Sequence, residues 1–261
     1  MNDIIVVKCG GSTIDHLSKS FFQSIKDLKD SGKSPIIVHG GGPEINKMLQ
    51  TLHVESHFIN GLRKTTKEVL ETAEMVLCGK VNKKLVTEFH KVGLNAIGLS
   101  GCDGKLLEVV PVNIEKLGFV GEVANMNTEL LQQLVQSHFT PIIAPIGIGN
   151  DGERYNINAD SAAAAVATTL GAKELLFVTD VPGILRHERL LERVTTEEVK
   201  ELIDNGTISG GMIPKVLAAM KSLKGNIESV KIMNGQGNHL IKNGSMIGTM
   251  IVKGSTPKHV I

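Results

Sequence analysis

Lys8, Asp160 and Lys215 are the side chains of this sequence whose settings could carry chemistry. Lys8 follows the apolar run Ile4-Ile5-Val6-Val7 and precedes Cys9-Gly10-Gly11-Ser12, so an ammonium stands where two glycines remove side-chain bulk. Lys215 lies one turn into a segment opened by Ser209-Gly210-Gly211-Met212-Ile213-Pro214. A further glycine turn, Gly40-Gly41-Gly42, stops the apolar run Pro35-Ile36-Ile37-Val38-His39. Pro43 comes next, and its missing N–H suits the first turn of a helix, where no intrahelical partner exists. A strand that empties through glycines into a helix N-terminus points bare backbone N–H groups at one spot, which attracts anions. Glycine turns, two lysines and one acid together suggest phosphoryl transfer, which asks the protein for positioning and charge neutralisation.

Each part has a plainer reading on its own. Lys8 reads equally as a surface lysine at a strand end, the commonest fate of that residue. Lys215 alone is a solvated helix residue, Asp160 an N-cap and Arg63 a turn charge. The combination carries the inference. Two look-alikes drop out. Gly32-Lys33-Ser34 mimics the end of a phosphate-binding P-loop, but Asp27 stands where the first glycine belongs, and the order is helix then strand. Residues 147–152 spell G-x-G-x-x-G, but a hairpin turn follows them where a dinucleotide site needs a helix. The nine histidines show no paired spacing with carboxylates, so the reading includes no protein-held metal.

These residues must be positioned by a chain of 261 residues, enough for one large α/β domain or two lobes sharing a sheet. A net charge of +1 argues against a nucleic-acid partner, and with no Trp and one Tyr there are few platforms for stacked bases. The three cysteines are scattered, which speaks against a disulfide framework and for a reducing compartment. No leader pattern opens the chain, and no run approaches the ~18 apolar residues that span a bilayer. The expectation is a cytoplasmic protein with no membrane partner.

Strand, glycine turn and helix occur twice in succession, the grammar of a parallel sheet with crossover helices. Residues 53–64 break it with Asn60-Gly61-Leu62-Arg63, a hairpin or flap carrying a basic residue. Thr65 with Glu68 reads as a capping box opening a long helix to about residue 90. Further strands are expected at 95–99, within 105–124 as antiparallel structure, and at 141–146. A helix over 128–137 separates the last two, and Asn150-Asp151-Gly152 turns a hairpin. The alanine-rich residues 161–170 form a closely packed helix capped by Asp160 or Asn158. A strand at 175–179, a short helix from Thr195 to Asn205, a helix ending at Lys224-Gly225, and strands at 229–233 and 249–252 complete the chain. A lobe boundary falls near Gly171.

In order along the chain stand Val6-Val7-Lys8-Cys9-Gly10-Gly11, Val38-His39-Gly40-Gly41-Gly42, Asn60-Gly61-Leu62-Arg63, Asn156-Ile157-Asn158-Ala159-Asp160, Thr179-Asp180-Val181-Pro182-Gly183-Ile184-Leu185 and Gly211-Met212-Ile213-Pro214-Lys215. This series resembles the amino acid kinase family over nearly the whole chain. K-x-G-G and H-G-G-G mark the family at large. N-G-L-R with N-x-N-A-D narrows the likeness to the members that phosphorylate N-acetyl-L-glutamate and their close relatives.

The resemblance implies an α/β fold, a three-layer αβα sandwich with a mainly parallel open central sheet in two lobes. Residues 1–170 would bind the amino acid and dimerise, and residues 171–261 would bind ATP. The implied reaction is ATP-dependent phosphorylation of the γ-carboxylate of N-acetyl-L-glutamate, the second step of arginine biosynthesis. Glutamate, aminoadipate or carbamate as acceptor stays open, as does a catalytically silent amino-acid sensor. Gly41, Gly42, Arg63 and Asn156 would hold the substrate, with Arg63 on its α-carboxylate. Lys8 and Lys215 would neutralise the transferring phosphoryl from the acceptor and ATP sides, and Asp160 would hold both lysines. Gly10 and Gly11 would offer N–H groups to phosphate oxygens. Asp180, Val181, Pro182, Gly183, Ile184 and Leu185, with Thr207, Ile208 and Ser209, would line the nucleotide pocket, and Mg²⁺ would ride on the phosphates. A carboxylate with an ordinary pKa of about 4.3 is already ionised, so the reaction needs no general base. Feedback-inhibited members carry an N-terminal helix that links dimers into a ring. Here the first strand begins by about Asp3, so the expectation is a homodimer insensitive to arginine, built on the helix after Thr65. Lys64 departs from the aliphatic residue that relatives often carry there.

Overall fold

The computed structural model describes residues 3–223, 227–237, 241–242 and 245–254. The two opening apolar runs form β1 (Asp3–Cys9) and β2 (Lys33–His39), parallel and joined by α1 (Lys19–Asp30). α2 (Gly42–Thr51) leads to the hairpin β3 (Phe58–Ile59) and β4 (Leu62–Arg63). Its two-residue turn, Asn60-Gly61, takes φ of 50° and 80°, the left-handed pair that matches strand twist. α3 (Lys67–Glu74), a π-helical segment (Met75–Val81) and α4 (Asn82–Lys91) run on as one helical stretch to β5 (Ala96–Ser100). β6 (Leu107–Pro111), α5 (Ile114–Leu117), β7 (Val120–Met126), α6 (Thr128–Gln136), β8 (Thr140–Ala144), β9 (Ile146–Gly149) and β10 (Arg154–Ile157) follow. α7 (Ala159–Thr169) and β11 (Glu174–Thr179) lead to three short strands, β12 (Leu185–Arg186), β13 (Arg189–Leu190) and β14 (Arg193–Thr195). α8 (Thr196–Asp204), α9 (Met212–Ser222), β15 (Ser229–Asn234), β16 (Ile241–Lys242), β17 (Ser245–Met246) and β18 (Thr249–Val252) close the chain.

Alternate residues of β1 face opposite cores, and this sets the layers. Ile5, Val7 and Cys9 pack with Ile37 and with Phe21, Ile25 and Leu28 of α1. Val6 packs with Ile36, Val38 and the small residues Ala162, Ala163, Val166 and Ala167 of α7, which let that helix lie close to the sheet. A strand buried on both faces reads as a continuous apolar run, as residues 4–7 do. The main sheet has the order β14-β18-β15-β11-β1-β2-β8-β5 and is parallel apart from the antiparallel β15–β18 pair. β1 is central, with β2 on one side and β11 on the other. The chain therefore reverses its direction of travel across the sheet there, and the loops after β1 and β11 open a crevice at their carboxyl ends. The expected three-layer α/β fold is the observed one.

Several local expectations shift. The helix after the hairpin is capped by Thr66, whose hydroxyl accepts from Val69 N–H, and Thr65 is fully buried elsewhere. Pro145 splits the expected strand 141–146 between the main sheet (β8) and a closed four-stranded array of β9, β10, β7 and β6. Asn158, and not Asp160, caps α7, because its side chain accepts from the N–H groups of Asp160 and Ser161. The short helix expected from Thr195 forms as α8, and Thr195 and Glu198 close its start with a capping box. Residues 147–152 cross the β9–β10 hairpin, so no helix N-terminus follows them. The expected helix end at Lys224-Gly225 lies outside the described residues.

Candidate active site

The two glycine turns meet face to face. A Cβ on Gly11 would sit 2.7 Å from the backbone nitrogens of both Gly41 and Gly42, so only a bare backbone fits there. Gly42 opens α2, and the first N–H groups of a helix have no intrahelical partner. Gly41 is crowded from behind: a Cβ there would meet Leu77 of the π-helical segment at 2.7 Å. The turns thus gather backbone donors on one small volume, which favours negative charge.

A cavity of about 170 Å³ opens on these donors and is lined by Gly41, Gly42, Arg63, Asn156, Phe58 and Leu62 among others. Arg63 ends β4 and is 7% exposed. Its Nη2 donates to Asn46 Oδ1 at 2.7 Å, its Nη1 donates to the Ser56 hydroxyl, and its guanidinium lies 4.6 Å from the Phe58 ring centre. Burial lowers its pKa from the ordinary value, yet arginine stays charged in proteins. Asn156 Nδ2 donates to Thr65 Oγ1 at 3.2 Å, and Thr65 Oγ1 donates to the Arg63 carbonyl at 2.8 Å. Because a carbonyl only accepts, the hydroxyl proton is committed to Arg63, and Thr65 must accept from the amide nitrogen of Asn156. One buried hydroxyl therefore ties Arg63 to Asn156.

A second cavity, about 180 Å³, lies over Lys8, Gly10, Asp160, Asp180 and Lys215. Lys8 Nζ is 2.8 Å from Asp160 Oδ1 and 5.6 Å from the centre of the Phe177 ring. Their side chains are 14% and 33% exposed, so the ion pair is partly shielded from solvent. Lys215, in the first turn of α9, pairs with Asp180 at the end of β11. That hydrogen bond is the main cause holding the Asp180 carboxyl below its ordinary pKa. The expectation that Asp160 holds both lysines is thus corrected: it holds Lys8, and Asp180 holds Lys215. Asp160 and Asp180, the carboxylates lining this cavity, are each already paired with a lysine. Among the described residues no group of three or more His, Cys, Asp and Glu could hold a metal ion.

The segments expected to face a nucleotide are split by burial. Ile184 and Ile208 lie in the core at 1% and 2% exposure, and their N–H groups donate to Thr249 Oγ1 and to the Leu202 carbonyl. Gly183, at φ 137°, is buried against Thr249 and Leu190. Asp180, Pro182, Leu185 and Ser209 are exposed, and Val181 and Thr207 half-buried, so these six can reach a ligand.

Sequence reasoning missed Thr65, Asn46, Ser56 and His39. The first three reach Arg63 or Asn156 only through the tertiary fold, so no spacing marks them. His39 carried a signal as the residue before the glycine turn. It is fully buried, with Nδ1 2.9 Å from the Gly40 carbonyl and Nε2 3.2 Å from Asn82 Nδ2. The three cysteines are free, and burial pushes the Cys9 thiol up to about 12.

Residues 3–234 match the model of the amino acid kinase family. The chain is 54% identical over 253 residues to the acetylglutamate kinase of Halalkalibacterium halodurans, covering 97% of each. It is 51% identical over 251 residues to the acetylglutamate kinase of a Geobacillus species, covering 96% of this chain and 97% of the relative. Among solved structures, smu.665 from Streptococcus mutans superposes with a TM-score of 0.83 at 34% identity, covering 97% of this chain and all of the other.

Proposed function

This chain belongs to the amino acid kinase family, and from that premise we propose that it transfers the γ-phosphoryl group of ATP to the γ-carboxylate of N-acetyl-L-glutamate. The observation that carries this reading is the adjacency of two cavities along one crevice. One is walled by Gly41, Gly42, Arg63 and Asn156, and the other by Lys8, Gly10, Asp160 and Lys215.

Arg63, held by Asn46 and Ser56, binds the substrate α-carboxylate, and Asn156 takes a polar group beside it. The N–H groups of Gly41 and Gly42 bind on the acceptor side, and that of Gly11 binds a phosphate oxygen; Gly10 departs from the expectation, because its N–H donates to the Val178 carbonyl at 3.2 Å. Two anions must meet, and Lys8 offsets that repulsion at the acceptor, where Asp160 fixes its ammonium. Lys215 acts from the ATP side, and to reach the phosphoryl it exchanges Asp180 for the nucleotide. No side chain needs to remove a proton, because the attacking carboxylate is ionised at neutral pH. Mg²⁺ would be held by the nucleotide phosphates, where it would supply neutralisation of part of their charge. The pairing of Asp160 with Lys8 fits a cation carried by the nucleotide.

Residues 1–170 form the amino-acid lobe and residues 171–261 the ATP lobe, with Asp180, Val181, Pro182, Leu185, Thr207 and Ser209 toward the nucleotide. Gly183, Ile184 and Ile208 shape that wall from within. A homodimer built on the stretch from Lys67 to Lys91 is supported by Met75, an apolar side chain 59% exposed on it. No helix among the described residues is long and apolar enough to cross a membrane.

The test is an assay with ATP, Mg²⁺ and hydroxylamine, which traps an acyl phosphate as a hydroxamate. Signal with N-acetyl-L-glutamate and none with glutamate or aminoadipate is the expected result. Signal with another acid would keep the mechanism and reassign the substrate. Folded protein silent with all three acids would point to a sensor.

A further inference from the structure

We propose that His39 is a positioning residue: its Nδ1–H holds the Gly40 carbonyl, and this fixes the peptide plane that aims the Gly41 N–H into the acceptor cavity. The proposal rests on reading the glycine turn as the anion-binding wall of the kinase site.

His39 ends β2 and is 0% exposed, so it touches no ligand itself. Its Nδ1 lies 2.9 Å from the Gly40 carbonyl oxygen. That oxygen can only accept, so the ring proton is on Nδ1 and Nε2 is a bare acceptor. Asn82 Nδ2 faces Nε2 at 3.2 Å. The same nitrogen lies 2.8 Å from the Ile142 carbonyl and 3.3 Å from the Leu99 carbonyl, so its two protons serve the Ile142 carbonyl and one of the two longer contacts. Asn82 Oδ1 accepts from Lys83 Nζ at 3.1 Å. The Gly40 carbonyl therefore selects the Nδ1–H tautomer, the carbonyls and Lys83 select the amide orientation, and a donor nitrogen facing Nε2 is compatible with that tautomer. Burial supports it by holding the ring pKa down to about 4, which keeps the ring neutral.

A trans peptide is planar, with its C=O and N–H pointing in opposite directions. No cis bond occurs among the described residues. Turning the Gly40 carbonyl toward His39 therefore turns the Gly41 N–H away from it. Gly41 nitrogen is one of the two atoms that crowd Gly11 at 2.7 Å, which places this donor where the glycine turns converge. A glycine pair has little steric preference of its own for that plane, since neither residue carries a Cβ. The imidazole supplies the preference, and Asn82 at the start of α4 presents a donor nitrogen to its other ring nitrogen.

Two substitutions separate this role from simple packing. The amide nitrogen of asparagine can occupy the place of Nδ1, whereas that of glutamine occupies the place of Nε2. His39→Asn keeps a donor for the Gly40 carbonyl, and His39→Gln removes it. The expected result in the hydroxamate assay is a loss of about 10²-fold in kcat/KM for H39Q, the scale of one lost anion-site donor, and under about 5-fold for H39N. Melting curves show whether both variants are folded. ¹⁵N spectra of ring nitrogens in the wild-type chain, with the His39 signal identified by its loss in H39N, should show the Nδ1–H tautomer at neutral pH. Equal losses in the two variants, losses that follow the fraction unfolded, or an Nε2–H ring would each overturn the proposal. If H39Q does not fold, H39N activity and the tautomer still decide it. A wild-type chain inactive on every acid would overturn the kinase reading and with it the catalytic role. An Nδ1–H ring in that same sample would keep only the peptide-plane geometry.

Discussion

Gly11 and Gly41 face each other so closely that a single methyl on Gly11 would lie 2.7 Å from the Gly41 backbone nitrogen. The loops after β1 and β2, separate in sequence, thereby meet at one small volume. Gly11→Ala pushes on backbone, which cannot rotate away as a side chain could, and on the proposed reading it fills space that a phosphate or carboxylate oxygen needs. The expected outcome is a fall in kcat/KM of about 10²-fold or more. Overpacking should also cost about 1–3 kcal/mol of stability, read by urea denaturation. An active Gly11→Ala enzyme with unchanged stability would show that the turns do not meet this closely.

Lys8 and Lys215 are held by different acids, which predicts different signatures. Lys8→Ala and Lys215→Ala should each lower kcat by at least about 10²-fold, the scale for one electrostatic stabiliser of a transition state. Asp180→Asn removes the partner that occupies Lys215 and leaves the Lys8 pair intact. Asp180→Asn should therefore change KM for ATP and leave KM for the acetylated amino acid alone. Steady-state kinetics varying each substrate decides the matter, and unchanged turnover in both lysine variants would refute their roles.

Thr65 joins Arg63 to Asn156 through one buried hydroxyl. Thr65→Val keeps the volume and loses both hydrogen bonds, worth roughly 0.5–1.5 kcal/mol each. KM for N-acetyl-L-glutamate should rise about 10-fold with kcat changed less, and Thr65→Ser should restore it. A loss confined to thermal stability, with both kinetic constants intact, would reduce Thr65 to packing.

His39 also sets a pH dependence of stability. Its pKa is about 4 in the fold against an ordinary 6.5, mainly because burial disfavours the charged ring, with Lys83 adding to the effect. The unfolded chain then binds the extra proton first. Stability is full above pH 6.5, declines as pH falls toward 4 and levels below that. The whole difference amounts to about 3 kcal/mol. Urea denaturation of wild type and His39→Gln from pH 7 to 4 isolates this group from the carboxylates. Parallel curves for the two proteins would exclude it.

Much of the architecture was legible because it rests on local rules. Residues 4–7 and 35–39 read as doubly buried strands since side chains of a strand alternate between faces, and both faces here are covered. The Asn60-Gly61 hairpin was legible because few residue types accept its backbone setting. The cap at Thr66 was misplaced by one residue, because two threonines compete locally and tertiary contacts bury the first. Pro145 divided an apolar run between two sheets, and periodicity cannot see which sheet a strand joins.

The sequence by itself determined the chemistry on offer: three glycine turns, two lysines, an arginine and their order along the chain, enough to state a fold and a family resemblance. Only the tertiary structure decided which charge meets which. Lys8 pairs with Asp160 across more than half of the chain, Lys215 takes Asp180 instead, and Thr65 and His39 hold groups no motif connects to them. The reason is physical. Strand and turn preferences are properties of a few adjacent residues, whereas an ion pair or a hydrogen bond of 2.8 Å depends on where crossover helices set distant backbone segments.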